Sequence, residues 1–281
     1  MRIISLNIRG LGGSAKQKIL RRLLSSLSPD LVLLQETMTS PYPALFAFSK
    51  ICPGWEFCAL SSNGLSGGVL TGWNPKLFKC KAYQTVAGIL LKATLWGSAL
   101  KLSILNCYGP YHNRDSFWNV VASGGLLSLP NLILAGDLNI TLSTSEILGS
   151  KSLLDPLSPY FTKLFLEHNL VDVAPPCAGP TWRNGRIGEE GISKRLDRFM
   201  LSEQLVSSLP KYRTWTHRCG ISDHFPIFLE CLDHQSSSAY PFKFNHSWLN
   251  NEDFVQMVHS EWPLIQSEPS LDSMNDLSCS L

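Results

Sequence analysis

"NLILAGDLNIT", residues 131–141, is the stretch that decides the fold. Leu132, Ile133 and Leu134 run consecutively into Ala135, and Gly136, Asp137 and Asn139 follow at once. Consecutive apolar residues describe a strand covered on both faces, an inner strand of a layered domain. Nothing in that role asks for a carboxylate and a carboxamide at the strand's end. Two apart on an extended chain, Asp137 and Asn139 are expected to face the same side. Gly136 is expected to admit a close approach by backbone or by a phosphate.

Working outward, strands outnumber helices. Arg2–Leu6 and "DLVLLQE" (residues 30–36) have strand character. Between them Lys16–Leu27 places Ile19, Leu20, Leu23, Leu24 and Leu27 on one helical face, with Arg21 and Arg22 outward and Pro29 ending the run. From Trp55 to Tyr108 come "WEFCAL", "GGVLTGW", "FKCKAYQTV", "GILLKATLW" and "KLSILNCY", separated by Gly and Asn-Pro turns, a pattern of antiparallel sheet. Helices are expected at about Asp115–Val121 and Tyr160–Asn169, the second introduced by Ser158-Pro159. "RLDRFMLS", "YRTWTH" and "FPIFLECL" complete the body as short strands. With no steady βαβ rhythm and no repeat, the expected class is α/β (α+β): a four-layered sandwich of two packed, mostly antiparallel mixed sheets flanked by helices.

The composition suits one large domain with an appendage: 281 residues, 44% hydrophobic and 16% charged. No run has the length of a membrane span, and "MRIISLNIRG" has strand rather than signal-peptide character, so a soluble, non-secreted chain is expected. The 8 cysteines form no CxxC pair and read as small buried thiols, not a disulfide framework or zinc site. The net charge of +2 conceals a division. From Ser237 onward Lys243 stands against Glu252, Asp253, Glu261, Glu268, Asp272 and Asp276, so residues 1–236 are basic and suit a polyanionic partner. "QSSSAYP" at 235–241 marks the boundary between a domain at 1–234 and an acidic tail at 235–281. In that tail Phe254, Val258 and Trp262 have the spacing of a short amphipathic helix, and the final residues are expected to be disordered.

Other polar residues stand where apolar runs end, as Asp137 and Asn139 do. Asn7 follows "IISL", Glu36 follows "DLVLLQ", Tyr108 follows "LSILNC", Asp197 sits in "KRLDRF", and Asp223 and His224 precede "FPIFL". Singly, each has a plain reading as a turn former or solvated strand exit. Converging strand ends would gather them into one cleft. Glu36 and a second carboxylate supply hard oxygen ligands for Mg²⁺, which keeps several waters and needs few protein ligands. An Asp–His pair orients an imidazole and stabilises its cation. Asn and Tyr donate to phosphate oxygens without adding negative charge. The set equips a chain for metal-assisted hydrolysis of a phosphoester.

Six ordered motifs, "SLNIRG", "LLQET", "NCYGPY", "GDLN", "RLDRF" and "SDHFP", resemble the endonuclease/exonuclease/phosphatase superfamily, which includes apurinic/apyrimidinic endonucleases and pancreatic-type deoxyribonuclease. The finer details "NIRGLG", "SGGVLTGWN", "YGPYHNRDSFW", "GPTW", "RLDRFMLS" and "PFKFNHSWL" are similar to the endonuclease domain of plant LINE-type (non-LTR) retrotransposons. That resemblance implies a chain truncated before a reverse transcriptase domain that would act in cis. It also implies roles. Glu36 becomes the principal metal ligand, with Asn7 beside it and Asp223 on the metal side. Asp137, taken alone a candidate ligand, becomes the group that orients and deprotonates water. Asn139 holds a phosphate oxygen, Tyr108 donates to the phosphate or the leaving side, and His224 bonds the scissile phosphate, oriented by Asp197. Thr181 and Trp182 match a "TW" beside the cleft, although Trp182 equally suits core packing.

The basic residues Arg9, Arg183, Arg186, Lys194, Arg195, Arg198, Arg213 and Arg218 lie near these motifs. Arg213, Trp215 and Arg218 interleave charge with an aromatic ring. They rim a DNA groove or guard an edge strand. The other histidines, His112, His168, His217, His234, His246 and His259, match no motif and are taken as structural or solvated. The resulting expectation is a Mg²⁺-dependent endonuclease, with Mn²⁺ as a substitute ion, that nicks duplex DNA to leave 5′-phosphate and 3′-hydroxyl ends. It is expected to be monomeric, not membrane-bound, and nuclear where its DNA is, otherwise cytoplasmic. A phosphatase or lipid or RNA phosphodiesterase of the same superfamily, and a non-catalytic DNA-binding retroelement remnant, are the competing readings.

Overall fold

The computed structural model describes residues 1–63, 66–149, 153–175, 179–232 and 252–261. In chain order it runs β1 (Arg2–Asn7), α1 (Ser14–Leu27), β2 (Leu31–Gln35), α2 (Pro41–Ile51), β3 (Glu56–Asn63), β4 (Ser66–Trp73), β5 (Phe78–Thr85), β6 (Gly88–Leu95) and β7 (Lys101–Tyr108). There follow α3 (Arg114–Ser123), β8 (Leu132–Asp137), β9 (Ile147–Leu148), α4 (Ser158–Glu167), β10 (Leu170–Asp172), β11 (Trp182–Arg183), β12 (Ser193–Lys194), β13 (Asp197–Ser202), α5 (Glu203–Ser208), β14 (Lys211–Thr216) and β15 (Ile227–Leu232). Contacts divide the chain into Met1–Asp233 and His234–Leu281; the second unit contains the helix α6 (Glu252–Glu261). The sequence boundary at 235–241 and the final residues 262–281 lie outside the described residues.

The first unit is the expected sandwich. One six-stranded sheet has the order β14-β15-β1-β2-β4-β3 and the other β10-β13-β8-β7-β6-β5, with a small three-stranded sheet of β11, β12 and β9. Each large sheet is built alike: a central parallel pair, β1 with β2 or β7 with β8, and antiparallel neighbours on both sides. Three apolar clusters glue four layers. Ile3, Leu31, Leu33, Ile104, Ile133 and Phe199 fill the space between the sheets. Ile4, Val32 and Leu34 pack with Leu20, Leu23, Leu24 and Phe48 from α1 and α2, while Leu105, Leu132 and Leu134 pack with Trp118 and Phe161 from α3 and α4. Neighbours in sequence thus belong to different clusters, as the two-residue period of a strand covered on both faces requires.

Ile19 departs from the expected helical face and is 41% exposed, because it sits at the margin of the stripe set by Leu20, Leu23 and Leu24. Helix α2 was not anticipated. Its buried residues Ala44, Ala47, Phe48 and Ile51 do recur with helical period, and Pro41 stands in its first turn, where proline starts a helix. Among the described residues no helix is long and apolar enough to cross a membrane.

Gly136 answers to the backbone. Its φ is +140°, and a Cβ there would lie 1.9 Å from the carbonyl oxygen of Cys107, its register partner on β7. Close approach of the two central strands therefore excludes every side chain at this position.

Candidate active site

The inward-facing rows of the central strands turn polar together at one end of the sandwich. On β1 the inter-sheet row runs Ile3, Ser5, Asn7; on β2 Leu31, Leu33, Gln35; on β7 Ile104, Asn106, Tyr108; on β8 Ile133, Ala135, Asp137. Strand β13 runs antiparallel, so its row starts polar with Asp197 and continues to Phe199 and Leu201. Register aligns Tyr108 with Asp137 and Asp137 with Asp197, forming one line across three strands. Below that line a buried network joins the sheets: Gln35 Nε2 donates to Asn106 Oδ1 at 2.6 Å and to Ser5 Oγ at 3.1 Å. Asn106 Nδ2 donates in turn to the carbonyl of Leu70 at 2.9 Å and to Thr71 Oγ1 at 3.0 Å. Because these groups satisfy one another, the polar floor is fixed without exposing it to water.

Asn7 is the hinge of the constellation. Its Nδ2 donates to Glu36 Oε1 at 2.9 Å and to Asp137 Oδ2 at 2.8 Å, bridging carboxylates from different sheets. Glu36 lies one residue beyond β2 and would alternate away, but its φ of +47° turns the chain. Tyr108 then donates its hydroxyl to the same Glu36 oxygen at 2.8 Å. Asp137 also accepts the backbone N–H of Asn139 at 3.1 Å. His224 Nδ1 donates to Asp197 Oδ2 at 2.9 Å, which leaves Nε2 3.7 Å from Asp137 Oδ2. Thr181 and Trp182 both serve this arrangement. The Thr181 hydroxyl accepts the backbone N–H groups of Leu196 and Asp197 at 3.0 and 2.9 Å, and Trp182 Nε1 donates to Asp223 Oδ2 at 3.0 Å. Trp182 is thus a half-buried cleft residue, with an isolated bridge to His224, and not core packing.

Electrostatics follow from burial and from who faces whom. Burial raises the Asp137 carboxyl to about 7, the charge of Asp197 adds to this, and His224 with the hydrogen bonds from Asn7 and Asn139 opposes it. Burial alone would lower His224, but Asp197, Asp137 and Asp223 outweigh it and raise the imidazole to about 9. Burial and the neighbouring Glu36 push the Tyr108 phenol up, so it stays a hydrogen-bond donor. For Asp223 burial works upward, yet Arg9, His224 and Trp182 hold its carboxyl below the ordinary range.

Several expectations need correction. Asn139 is not on extended backbone: its φ is +54°, and its Nδ2 donates to the carbonyl of Gly109 at 2.6 Å. It shares the site with Asp137 through a turn, and its buried Oδ1 has no partner among the described residues. Arg195 is withdrawn from any DNA groove. It is 4% exposed and binds Asp172 at 2.6 Å and Glu146 at 2.9 Å, beside an Arg198 that is fully buried on the same two carboxylates. Arg213 pairs with Glu230 and stacks over Trp215, whose ring lies 5.0 Å from that of Phe228. Glu230 is opposite Arg2, at the far end of β1 from Asn7, roughly 17 Å away at about 3.3 Å per residue. Arg213 therefore stands at the wrong end of the sandwich, and Trp215 is a packing residue. Arg183 and Arg218 are exposed at the cleft end; the Arg183 guanidinium lies 4.6 Å from the Phe225 ring. Arg9 points into the carboxylates of Glu36 and Asp223.

Asp137, Asp197 and His224, all buried, thus stand with Glu36 and Asp223 at the end of the sandwich where the polar strand ends converge. Residues 4–224 match the Endonuclease/Exonuclease/phosphatase family, and the chain belongs to it. Solved structures share the fold at low identity. An AP endonuclease from Leishmania major is 18% identical with a TM-score of 0.64, over 81% of this chain and 86% of that one. The endonuclease domain of TRAS1, a telomere-specific non-LTR retrotransposon, is 16% identical with a TM-score of 0.61, over 83% and 99%. A variant of the 3′ phosphatase NExo from Neisseria, bound to a product DNA hairpin, is 17% identical with a TM-score of 0.61, over 82% and 99%. No curated protein matches the chain by sequence.

Enzymes of this family are typically dependent on a divalent metal, and the donor set fits one. Glu36 is 4% exposed, and its Oε2 accepts no hydrogen bond among the described residues and meets Arg9 Nε only at 3.8 Å, so this oxygen is available to a cation. Asp137, Asp197 and His224 also offer ligand atoms within 4.8 Å of one another. In that trio, however, His224 Nδ1 is committed to Asp197, and histidine is a poor partner for a hard cation.

Proposed function

We propose that this chain is a Mg²⁺-dependent endonuclease that hydrolyses a phosphodiester of duplex DNA and leaves a nick. The observation that carries the reading is Asp137: a buried carboxylate of raised pKa, held by Asn7 and set 3.7 Å from a histidine that is itself bonded to Asp197. A carboxylate made less acidic is a better base, so Asp137 takes the proton of the attacking water and Asn7 fixes its angle. His224, kept cationic by Asp197, donates Nε2–H to a non-bridging oxygen of the scissile phosphate. Asn139 offers the second N–H of its Nδ2 beside the one given to Gly109, and the Tyr108 hydroxyl turns from Glu36 to the phosphate or the leaving oxygen. Glu36 and Asp223, with Asn7 beside them, would hold Mg²⁺, or Mn²⁺ in its place, and the bound ion would offset charge building on the phosphate. Arg183 and Arg218 hold the flanking backbone.

We assign the chain further to the LINE-type elements, on the motifs "SGGVLTGWN", "YGPYHNRDSFW" and "PFKFNHSWL" together with the TRAS1-like fold. In an intact element the 3′-hydroxyl at the nick primes a reverse transcriptase domain in cis. The protein then works as a monomer on nuclear DNA. The test is relaxation of supercoiled plasmid in Mg²⁺, followed by DNA ligase. Relaxed circles that the ligase reseals support 5′-phosphate and 3′-hydroxyl ends, whereas phosphate release from inositol phosphates without relaxation refutes the DNA assignment.

A further inference from the structure

Arg9 is unusual among the cleft's basic residues in that its guanidinium turns inward, onto carboxylates. Nη1 hydrogen-bonds Asp223 Oδ2, and Nε lies 3.8 Å from Glu36 Oε2. The main chain beneath it is pinned. Its φ is +46°, its N–H donates to Asn7 Oδ1 at 3.1 Å, and Lys16 Nζ donates to the carbonyls of Arg9 at 2.7 Å and Ile8 at 2.8 Å. The side chain is 49% exposed, so it has room to swing from this fixed root. Its partners do not. Glu36 is tied by Asn7 and Tyr108, and Asp223 by the Trp182 indole.

Two carboxylates held close enough to share one guanidinium repel each other and need a counter-charge. Arg9 supplies it here, on the same two carboxylates to which the proposed function assigns the cation. A divalent ion and a guanidinium cannot both sit within ion-pair distance of these oxygens without strong mutual repulsion. We propose that Arg9 is a displaceable internal counter-ion, which neutralises the Glu36–Asp223 pair in the metal-free protein and is expelled when a divalent cation takes that pair. It preserves the geometry of the two carboxylates and sets the threshold of metal concentration at which they take a cation.

This inference rests on the reading of Glu36 and Asp223 as the cation's holders, and the experiment separates the two. Mn²⁺ is titrated calorimetrically into the chelator-stripped full chain and into Arg9→Gln, Arg9→Lys and Glu36→Gln, with melting curves with and without Mn²⁺. Arg9→Gln is expected to bind Mn²⁺ about fivefold more tightly, the scale of one half-exposed ion pair. Its metal-free melting temperature falls by about 2 °C and the deficit closes in saturating Mn²⁺. Arg9→Lys keeps both values near those of the parent. Unchanged or weaker binding in Arg9→Gln, with binding lost in Glu36→Gln, overturns the counter-ion role alone. Unchanged binding in Glu36→Gln overturns the cation assignment itself.

Discussion

Replacing Gly136 with alanine probes the coupling between the fold and the site. The added Cβ would fall 1.9 Å from Cys107 O and 3.0 Å from Cys107 C, where real Cβ contacts below 3.0 Å are essentially never found. The clash is with backbone, in the centre of a sheet and between its two parallel strands, so no side-chain rotation relieves it. The strands must part by roughly 1 Å, an overpacking cost of about 1–3 kcal/mol. A φ of +140° adds to this, at about 1–3 kcal/mol for an L residue held in a sparsely populated region. A total of about 2–6 kcal/mol, with a urea m-value of about 3 kcal/mol/M, lowers the unfolding midpoint by about 0.7–2 M. Gly12→Ala is the control, since its Cβ meets nothing within 4 Å. Equilibrium urea unfolding followed by tryptophan fluorescence measures both. A Gly136→Ala midpoint within about 0.3 M of the parent would refute the claim that β7 and β8 are locked at Tyr108 and Asp137.

Other outcomes follow from the same geometry. Asp197→Asn removes the charge that stabilises the His224 cation and fixes its tautomer, and is expected to slow plasmid nicking by about 10²–10⁴-fold at unchanged far-ultraviolet circular dichroism. Asp172 and Glu146 have carboxyl groups held below their ordinary values by Arg195 and Arg198, against the upward pull of burial. A depressed folded-state pKa contributes stability above the unfolded value and loses it as pH falls through the folded one, so the urea midpoint should drop steeply below about pH 4. Asp172→Asn makes that drop shallower and costs about 3 kcal/mol at neutral pH by leaving buried guanidinium charge unpaired. Arg213→Ala leaves DNA affinity within about twofold, whereas Arg183→Ala weakens it about fivefold with a reduced salt dependence, as read by fluorescence anisotropy.

The layers were legible because burial on both faces leaves an unmistakable mark: "LILA" and "LVLL" are apolar without interruption, and each supplies two clusters. The site was legible as strand ends, since Asn7, Tyr108 and Asp137 extend inward rows whose period is two. What sequence position could not convey was pairing over distance. Arg195 and Arg198 flank Asp197 and look like cleft residues, but their partners Glu146 and Asp172 lie far off along the chain. The polar floor of Ser5, Gln35 and Asn106 was hidden for the same reason: each residue has its partner on another strand. Glu36 and Asn139 depend on positive φ values, which a bulky or amide side chain does not announce. Helix α2 went unseen because two of its four buried positions are alanines and its prolines resemble breaks.

The central claim is that Asp137 handles the water of a DNA-nicking reaction, and Asp137→Asn measures it most directly. The substitution keeps the shape and removes the base, while its amide nitrogen replaces one of the two oxygens that accept from Asn7 and from the Asn139 N–H. With Mg²⁺ and supercoiled plasmid, the variant is expected to melt within about 3 °C of the parent, the loss of a buried charge offsetting the loss of one acceptor, and to nick roughly 10³-fold more slowly. Nicking by Asp137→Asn at the parent rate would contradict the account.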